Sequence, residues 1–258
     1  MSAFFPPYNA SLFRALLGVR VAYMLHERRD GAVAWLTFDR PERLNAFTAA
    51  GYQELRVTLQ RLARDDAARA VVLTGRGRAF SAGADRSLLD AAAPDTVRQH
   101  AGDEFLLLLD VLGGFEKPLL GAVNGVAVGF GCTLLLYCDL VLLAETARLR
   151  FPFTALGIAP EAGSSALLST RMRWADAMWA MLSSEWIDAA AAFRTGLAWR
   201  VVPDAELVEQ VSSAATLIST HDPNAVAATK RLMTSGRRNA ALDAISRELT
   251  EMQALRRP

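Results

Sequence analysis

Two short glycine-rich segments constrain this chain more than any other feature. The first is Ala79–Asp85 (AFSAGAD) and the second is Gly125–Gly131 (GVAVGFG). Each segment reads as a strand that turns through glycine into a helix. A helix leaves its first four backbone N–H groups without an intrahelical partner. Two such turns that meet would offer two fixed donors to one developing negative oxygen, which indicates chemistry at a carbonyl group.

Strands and helices alternate around these turns. The predicted strands are 32–38, 70–73, 119–123, 140–144, 148–151 and 199–202. The predicted helices are 96–112, 132–137, 164–182, 188–194, 204–219, 223–235 and 239–256, together with one that Thr48 caps and that ends near Arg64. This alternation predicts an α/β fold with parallel strand pairs, followed by a helical C-terminal lobe.

Nothing in the chain reads as a repeat or a linker. We therefore expect a single domain over residues 23–258, with its core at about 23–200 and its helical lobe at about 201–258. Residues 1–22 are interpreted as an N-terminal extension. This stretch lacks acids and contains two arginines, as targeting sequences do, but it makes a weak one. An arm packed on a neighbouring subunit is an alternative interpretation.

Composition excludes several classes of function. The chain has 258 residues and is 52% hydrophobic, which suffices for one α/β core with an added lobe. With 28 basic and 27 acidic residues, it has no net field for nucleic acid or an anionic membrane. The three histidines are isolated, so no local zinc site or Ser-His-Asp triad is predicted, and no metal is expected. Cys132 and Cys138 are too far apart along a helix for a disulfide, and two buried thiols suit a reducing cytoplasm.

Six strings, in this order along the chain, resemble the crotonase (enoyl-CoA hydratase/isomerase) superfamily of acyl-CoA enzymes. They lie at 39–47 (DRPERLNAF), 79–85, 117–131 (KPLLGAVNGVAVGFG), 138–149 (CDLVLLAETARL), 151–165 (FPFTALGIAPEAGSS) and 196–203 (GLAWRVVP). The resemblance covers about residues 23–256. It implies a crotonase-like spiral of ββα turns with a helical lobe that mediates trimerisation. It also implies an acyl-CoA substrate, no bound prosthetic group, and a homotrimer or a dimer of trimers.

By motif position, the resemblance assigns the two oxyanion donors to the backbone N–H groups of Ala84 and Phe130. It places the substrate against Ala82, Gly83, Asp85 and Gly129. The family usually has glycine where Phe130 stands. A backbone donor does not depend on its side chain, but we expect the phenyl group to change the space around the acyl chain. Asp85 is expected to pin its loop or to cap the following helix.

The departures from the family pattern concern the acids. Hydratases of the family use two glutamates to activate water, and the matching positions here are Thr133 and Phe153, neither of which is a base. Glu161 resembles the sole proton shuttle of the Δ3-Δ2-enoyl-CoA isomerase branch, which moves a proton from C2 to C4. Pro160 predicts that a helix starts here and that its dipole stabilises the Glu161 charge. The alternative is an acid at a helix start without a catalytic role.

The resemblance also suggests cations for the CoA phosphates. Arg43 lies in the early loop that the family places along CoA, and Lys230 resembles a lysine that reaches the phosphate, often from a neighbouring subunit. Other reactions of the family stay open, namely those of a hydratase, a decarboxylase or a thioester hydrolase. A non-catalytic or RNA-binding homologue is a further alternative, although the helical stretch 52–69 is mixed in charge, lacks lysine and is interpreted as a solvated face.

Overall fold

The computed structural model describes residues 24–89 and 94–255, and its architecture rests on two sheets. The larger sheet has the strand order β1-β2-β3-β5-β7-β10, and the smaller has the order β4-β6-β8-β9. Neighbouring strands are parallel except for the pairs β1–β2 and β8–β9. The strands are β1 (Leu25–Asp30), β2 (Val33–Phe38), β3 (Ala70–Gly75), β4 (Ala79–Ser81), β5 (Leu119–Val123), β6 (Val126–Val128), β7 (Leu140–Ala144), β8 (Arg148–Arg150), β9 (Ile187–Asp188) and β10 (Arg200–Val202). The predicted extension, residues 1–22, lies outside the described residues.

Successive strand pairs divide between the two sheets. In each of the pairs β3–β4, β5–β6 and β7–β8, the first strand joins the larger sheet and the second joins the smaller, and helices follow. The helices are α1 (Ala49–Ala63), α2 (Arg86–Leu89), α3 (Asp95–Gly113), α4 (Phe130–Thr133), α5 (Ser164–Leu167), α6 (Trp174–Ser183), α7 (Ala189–Thr195), α8 (Leu207–Ser219) and α9 (Pro223–Leu255). This repeat confirms the predicted α/β fold with ββα turns and C-terminal helices.

The central strands of the larger sheet are buried on both faces, whereas its edge strand β1 is largely exposed. Strand β5 and the first four residues of β3 are fully buried, as expected of parallel strands that read as continuous apolar runs. Helix α8 packs on β2, β3, β5 and β7, while α1 packs on α3. The two helices α1 and α3 are joined by Arg56, whose guanidinium donates to Glu104 at 2.8 and 3.1 Å. Arg56 therefore stabilises a helix contact instead of lying on a solvated face.

Local signals predicted some elements well. Thr48 caps α1 by accepting a hydrogen bond from the Gly51 N–H at 3.1 Å, and α1 ends one residue before Arg64. Both cysteines are unpaired and buried, and burial raises the pKa of each thiol to about 12. Within the part of the chain that the structure describes, no helix is both long and apolar enough to cross a membrane.

Other predictions were wrong because tertiary contacts decide the structure. Strand β1 pairs with β2 as a hairpin, and β9 pairs with β8; neither strand was predicted. The predicted helix 164–182 is divided into α5, a 3₁₀ turn and α6. The predicted helices 223–235 and 239–256 form one continuous helix, α9.

Candidate active site

The first glycine turn follows β4 and lies against the loop that precedes α1. The Phe47 N–H donates to the Gly83 carbonyl at 2.7 Å, and the Asp85 N–H donates to the Phe47 carbonyl at 2.8 Å. These two bonds form a parallel bridge between Phe47 and Ala84. In such a bridge the N–H of the central residue points away from its partner strand. The N–H of Ala84 is therefore directed away from Phe47, as a free donor requires.

The second glycine turn precedes α4, whose first residue is Phe130. The two turns meet backbone to backbone. A Cβ atom on Gly83 would lie 2.6 Å from the Val128 carbonyl oxygen and 3.1 Å from the Phe130 nitrogen. Gly83 also has a φ of +85°, which favours glycine. The predicted convergence of the two turns is thus present in the structure.

Buried polar side chains fix the first turn. The Asn45 side-chain amide donates to the Ala79 carbonyl at 2.7 Å, and the Ser81 hydroxyl donates to the Asn45 carbonyl at 2.8 Å. The same hydroxyl accepts the Gly83 N–H at 3.1 Å. Sequence reasoning did not find this pair, because the two residues meet only through tertiary folding.

Asp85 pins the loop and caps α2, as predicted. Its carboxylate accepts a hydrogen bond from Arg40 at 3.1 Å and two bonds from Ser87, at 3.1 Å from the backbone N–H and 3.0 Å from the hydroxyl. Burial alone would raise the pKa of Asp85, but the bonds from Ser87 and Arg40 outweigh it and lower the pKa. These contacts give Asp85 a structural role beside the turn.

The Phe130 ring packs into the interior. It is 1% exposed, and its centroid lies 5.0 Å from Phe47, 5.4 Å from Tyr52 and 5.1 Å from Phe105. The expected effect of the phenyl group on the acyl space is therefore indirect. The Phe130 ring packs against Phe105, and Phe105 lines the cavity described next.

A cavity of about 490 Å³ lies between α3, α9 and the segment before α5. Its wall includes Leu88, one turn after Asp85, and Phe105, which contacts Phe130. The cavity is thus next to the helix that follows the first glycine turn, and Phe105 connects its wall to Phe130 of the second. It is lined by Leu88, Asp95, Arg98, Gln99, Gly102, Phe105, Leu106, Leu109, Glu161, Ala162, Ile245, Glu248, Leu249, Met252 and Gln253.

Glu161 is half-buried at the edge of this cavity. Withdrawal of its carboxyl group from water, together with the negative charge of Glu248, raises the pKa of Glu161 to about 7. Burial also raises the pKa of Tyr52, and the charges of Glu161 and Asp85 raise it further. Tyr52 therefore lies within electrostatic reach of both Glu161 and the first glycine turn. A carboxyl group with this pKa exchanges a proton readily near neutrality.

The backbone at Glu161 differs from the prediction. Pro160 and Glu161 are not helical, and α5 begins only at Ser164. Ala162 and Gly163, with φ of +60° and +69°, turn the chain first. The predicted stabilisation of the Glu161 charge by a helix dipole was wrong, and burial acts in the opposite direction. Glu248 was missed, because an acid on a long C-terminal helix reads as a surface residue.

The two positions that carry acids in hydratases have no acid here. Thr133 and Phe153 are 0% and 2% exposed, and Phe153 belongs to the apolar core. Among the described residues, the carboxylates that line the cavity are Asp95, Glu161 and Glu248. The Asp95 side chain is 91% exposed at the rim, and both Glu248 oxygens are bonded to backbone N–H groups. Glu161, in contrast, has a raised pKa, and no backbone N–H of the described residues donates to its carboxyl group.

The two predicted phosphate ligands lie apart. Arg43 is exposed in the loop before α1, three residues after Arg40. The Lys230 amine lies 2.7 Å from the Asp139 carboxylate and 2.7 Å from the Lys117 carbonyl oxygen. Desolvation lowers the pKa of Lys230 despite this ion pair. The structure therefore gives Lys230 a role in holding α9 to the segments that precede β5 and β7, away from the Glu161 cavity.

Over residues 24–89 and 94–255, no three His, Cys, Asp or Glu side chains gather in a group that could hold a metal ion.

The double sheet, its ββα repeat and the C-terminal helices define the crotonase type of fold. A family model for enoyl-CoA hydratase/isomerase matches residues 28–255, and the chain belongs to this family. It is 37% identical over 198 residues to a probable enoyl-CoA hydratase of Rhizobium meliloti, covering 74% of this chain and 73% of that one. It is 34% identical to the 1,2-epoxyphenylacetyl-CoA isomerase of Escherichia coli, covering 81% of each. The crystal structure of an enoyl-CoA hydratase/isomerase from Pseudoalteromonas atlantica superposes with a TM-score of 0.82 at 33% identity, over 90% of this chain and 91% of the other.

Proposed function

We propose that this protein moves the double bond of a 3-enoyl-CoA to the 2-position. In this reaction Glu161 takes a proton from C2 and returns it to C4. The N–H groups of Ala84 and Phe130 hold the thioester oxygen, which gains negative charge in the enolate. The observation that carries the proposal is the Glu161 carboxyl, with a pKa of about 7, in a cavity whose wall includes Leu88, which follows the first glycine turn, and Phe105, which contacts Phe130. A group that both accepts and donates a proton works best when its pKa lies near the working pH.

The cavity suits an acyl chain. Leu106, Leu109, Ile245 and Leu249 form its apolar wall, and burial of apolar surface favours binding. Ala82, Gly83 and Gly129 would approach the thioester through backbone alone. Arg43, on the loop before α1, is proposed to contact the CoA phosphates, whereas the ion pair of Lys230 argues against that role for Lys230 within one subunit.

The proposal includes a cytoplasmic homotrimer or dimer of trimers. Two buried free thiols suit a reducing compartment. Large apolar side chains on the surface suit contacts between subunits, among them Trp174, Trp179 and Leu182, which are 68%, 62% and 62% exposed.

Hydration of a 2-enoyl-CoA is the second candidate, because several relatives are named hydratases. Another relative is named an isomerase, so the names do not choose between the reactions. Hydration is disfavoured by the residues at positions 133 and 153, because water must be activated by a second group and neither Thr133 nor Phe153 is an acid.

Separate incubations with 3-enoyl-CoA and with 2-enoyl-CoA test the proposal. We expect the absorbance of the conjugated thioester to grow from the 3-enoyl substrate, and no 3-hydroxyacyl-CoA to form from the 2-enoyl substrate. Hydration of the 2-enoyl substrate would contradict the assignment. Decarboxylation or thioester hydrolysis as the sole activity would point to another reaction of the family. No binding of CoA esters by calorimetry would point to a non-catalytic homologue.

A further inference from the structure

Glu248 is a buried acid whose hydrogen-bond partners are backbone N–H groups. It lies on α9 and is 5% exposed. Its two carboxylate oxygens accept the N–H groups of Gly163 at 2.7 Å and of Ser165 at 2.8 Å. A buried carboxylate is costly unless it is hydrogen-bonded, and each of these oxygens has a backbone donor. Glu248 therefore binds this turn through both of its carboxylate oxygens.

We propose that Glu248 is a positioning residue for the Glu161 carboxyl group, an inference that rests on the proposed function. By binding the turn at Gly163 and Ser165 from a distant helix, Glu248 fixes the segment that presents Glu161 to the cavity. Its negative charge also adds to the effect of burial on the proton affinity of Glu161.

The backbone geometry supports the positioning role. Ala162 has a φ of +60°, which a residue with a side chain rarely adopts unless its surroundings impose it. The Tyr137 hydroxyl donates to the Ala162 carbonyl at 2.8 Å, and the Ser164 N–H donates to the Glu161 carbonyl at 3.0 Å. With the two bonds to Glu248, every residue from Glu161 to Ser165 is held by at least one hydrogen bond. The Glu161 side chain thus projects from a rigid turn.

Glu248 also acts on Glu161 through its charge. A like charge nearby makes ionisation of a carboxyl group less favourable. The charge of Glu248 acts on Glu161, and both side chains line the same cavity. The other titratable or charged groups that face this pair from the surrounding elements are Tyr52 on α1, Asp85 on the first glycine turn, Asp95 and Arg98 on α3, Tyr137 after α4 and Arg237 on α9.

The test compares Glu248→Gln with Glu251→Gln, which removes an exposed acid from the same helix. The titration of the Glu161 carboxyl carbon is followed by ¹³C NMR and assigned by its loss in Glu161→Gln. In Glu248→Gln we expect the Glu161 titration to move down by about half a pH unit or more, because a like charge is gone. The acid limb of the kcat–pH profile should move with it. Glu251→Gln should match the wild type in both. An unchanged Glu161 titration in folded Glu248→Gln would overturn the inference.

Glu248→Asp keeps the charge but shortens the side chain by one carbon. We expect its Glu161 titration to stay close to the wild type while kcat falls about tenfold or more, because the turn loses a bond. Titration and kcat both at the wild-type values would overturn the positioning role, even if Glu248→Gln fails to fold. The NMR titration needs no activity. Failure of the isomerase proposal would therefore appear as missing turnover with a normal Glu161 titration.

Discussion

At Glu161, the same burial that raises the pKa of the carboxyl group also lowers the stability of the fold when that group is charged. A surface glutamate is a weak base near neutrality, and burial makes this one basic enough to take up a proton at pH 7. The same burial makes its charged form unfavourable for folding. Strongly shifted pKa values of this kind cluster at sites of proton transfer.

Glu161→Gln should therefore change the pH dependence of stability. The pKa of Glu161 is about 7 in the folded protein and 4.5 in its ordinary state. Because the folded state binds this proton more tightly, the group stabilises the fold below about pH 4.5, and its contribution is lost as the pH rises to about 7. Relative to the wild type, the variant should gain up to about 3 kcal/mol between pH 4.5 and pH 8. Urea denaturation at both pH values measures this, with Glu251→Gln as control. A constant difference between variant and wild type would contradict the shift.

Gly83 is predicted to be irreplaceable even by alanine. A Cβ would lie 2.6 Å from the Val128 oxygen, at a backbone angle that disfavours side chains. We expect Gly83→Ala to destabilise the fold by about 2 kcal/mol and to lower turnover, because the two N–H donors separate. Gly236→Ala is the matched control, since nothing lies within 4 Å of its Cβ position. If Gly83→Ala were as stable and active as the wild type, the turns could not meet as described.

At the scale of elements, the sequence was informative where local signals agree. Helix α1 has a threonine cap and a regular apolar face, and strands β3, β5 and β7 are short apolar runs between polar turns. The helix start predicted at Pro160 was wrong because the chain turns through Ala162 and Gly163 first. Local propensity is a weak guide where packing imposes the turn.

Helix α9 is a second element that local propensity mispredicts, because it continues where a break was expected. A break was predicted between residues 235 and 239, but the helix continues through Gly236. Glycine weakens a helix because it has more freedom in the unfolded chain. Gly236→Ala should therefore stabilise the protein by about 0.5–1 kcal/mol in urea denaturation. Lower stability than the wild type would indicate that α9 is interrupted there.

At the scale of the whole molecule, the parts of the site that lie within one segment could be predicted. The two glycine turns are readable from neighbouring residues, and Glu161 was singled out by the resemblance of its segment to the isomerase branch. Glu248 could not be predicted, since it is separated by 85 residues from Gly163, whose N–H it accepts. The inward packing of Phe130 and the pairing of Lys230 with Asp139 likewise depend on helices that meet only in the folded chain.

Assembly is a prediction at this same scale. We expect light scattering to give three or six times the 28.0 kDa mass of one chain. The physical reason is the amount of large apolar surface, which a solitary chain would leave in water; Leu232 and Met233 on α9, for example, are 80% and 81% exposed. A monomer at micromolar concentration would contradict this expectation.

The central claim is that Glu161 alone moves the proton. Its most direct test is the initial rate of conjugated-thioester formation from 3-enoyl-CoA by the wild type, Glu161→Gln and Glu251→Gln. A positioned general base contributes roughly 10²–10⁴-fold. The account predicts a loss of that size in Glu161→Gln and wild-type activity in Glu251→Gln. Full activity in Glu161→Gln would contradict it.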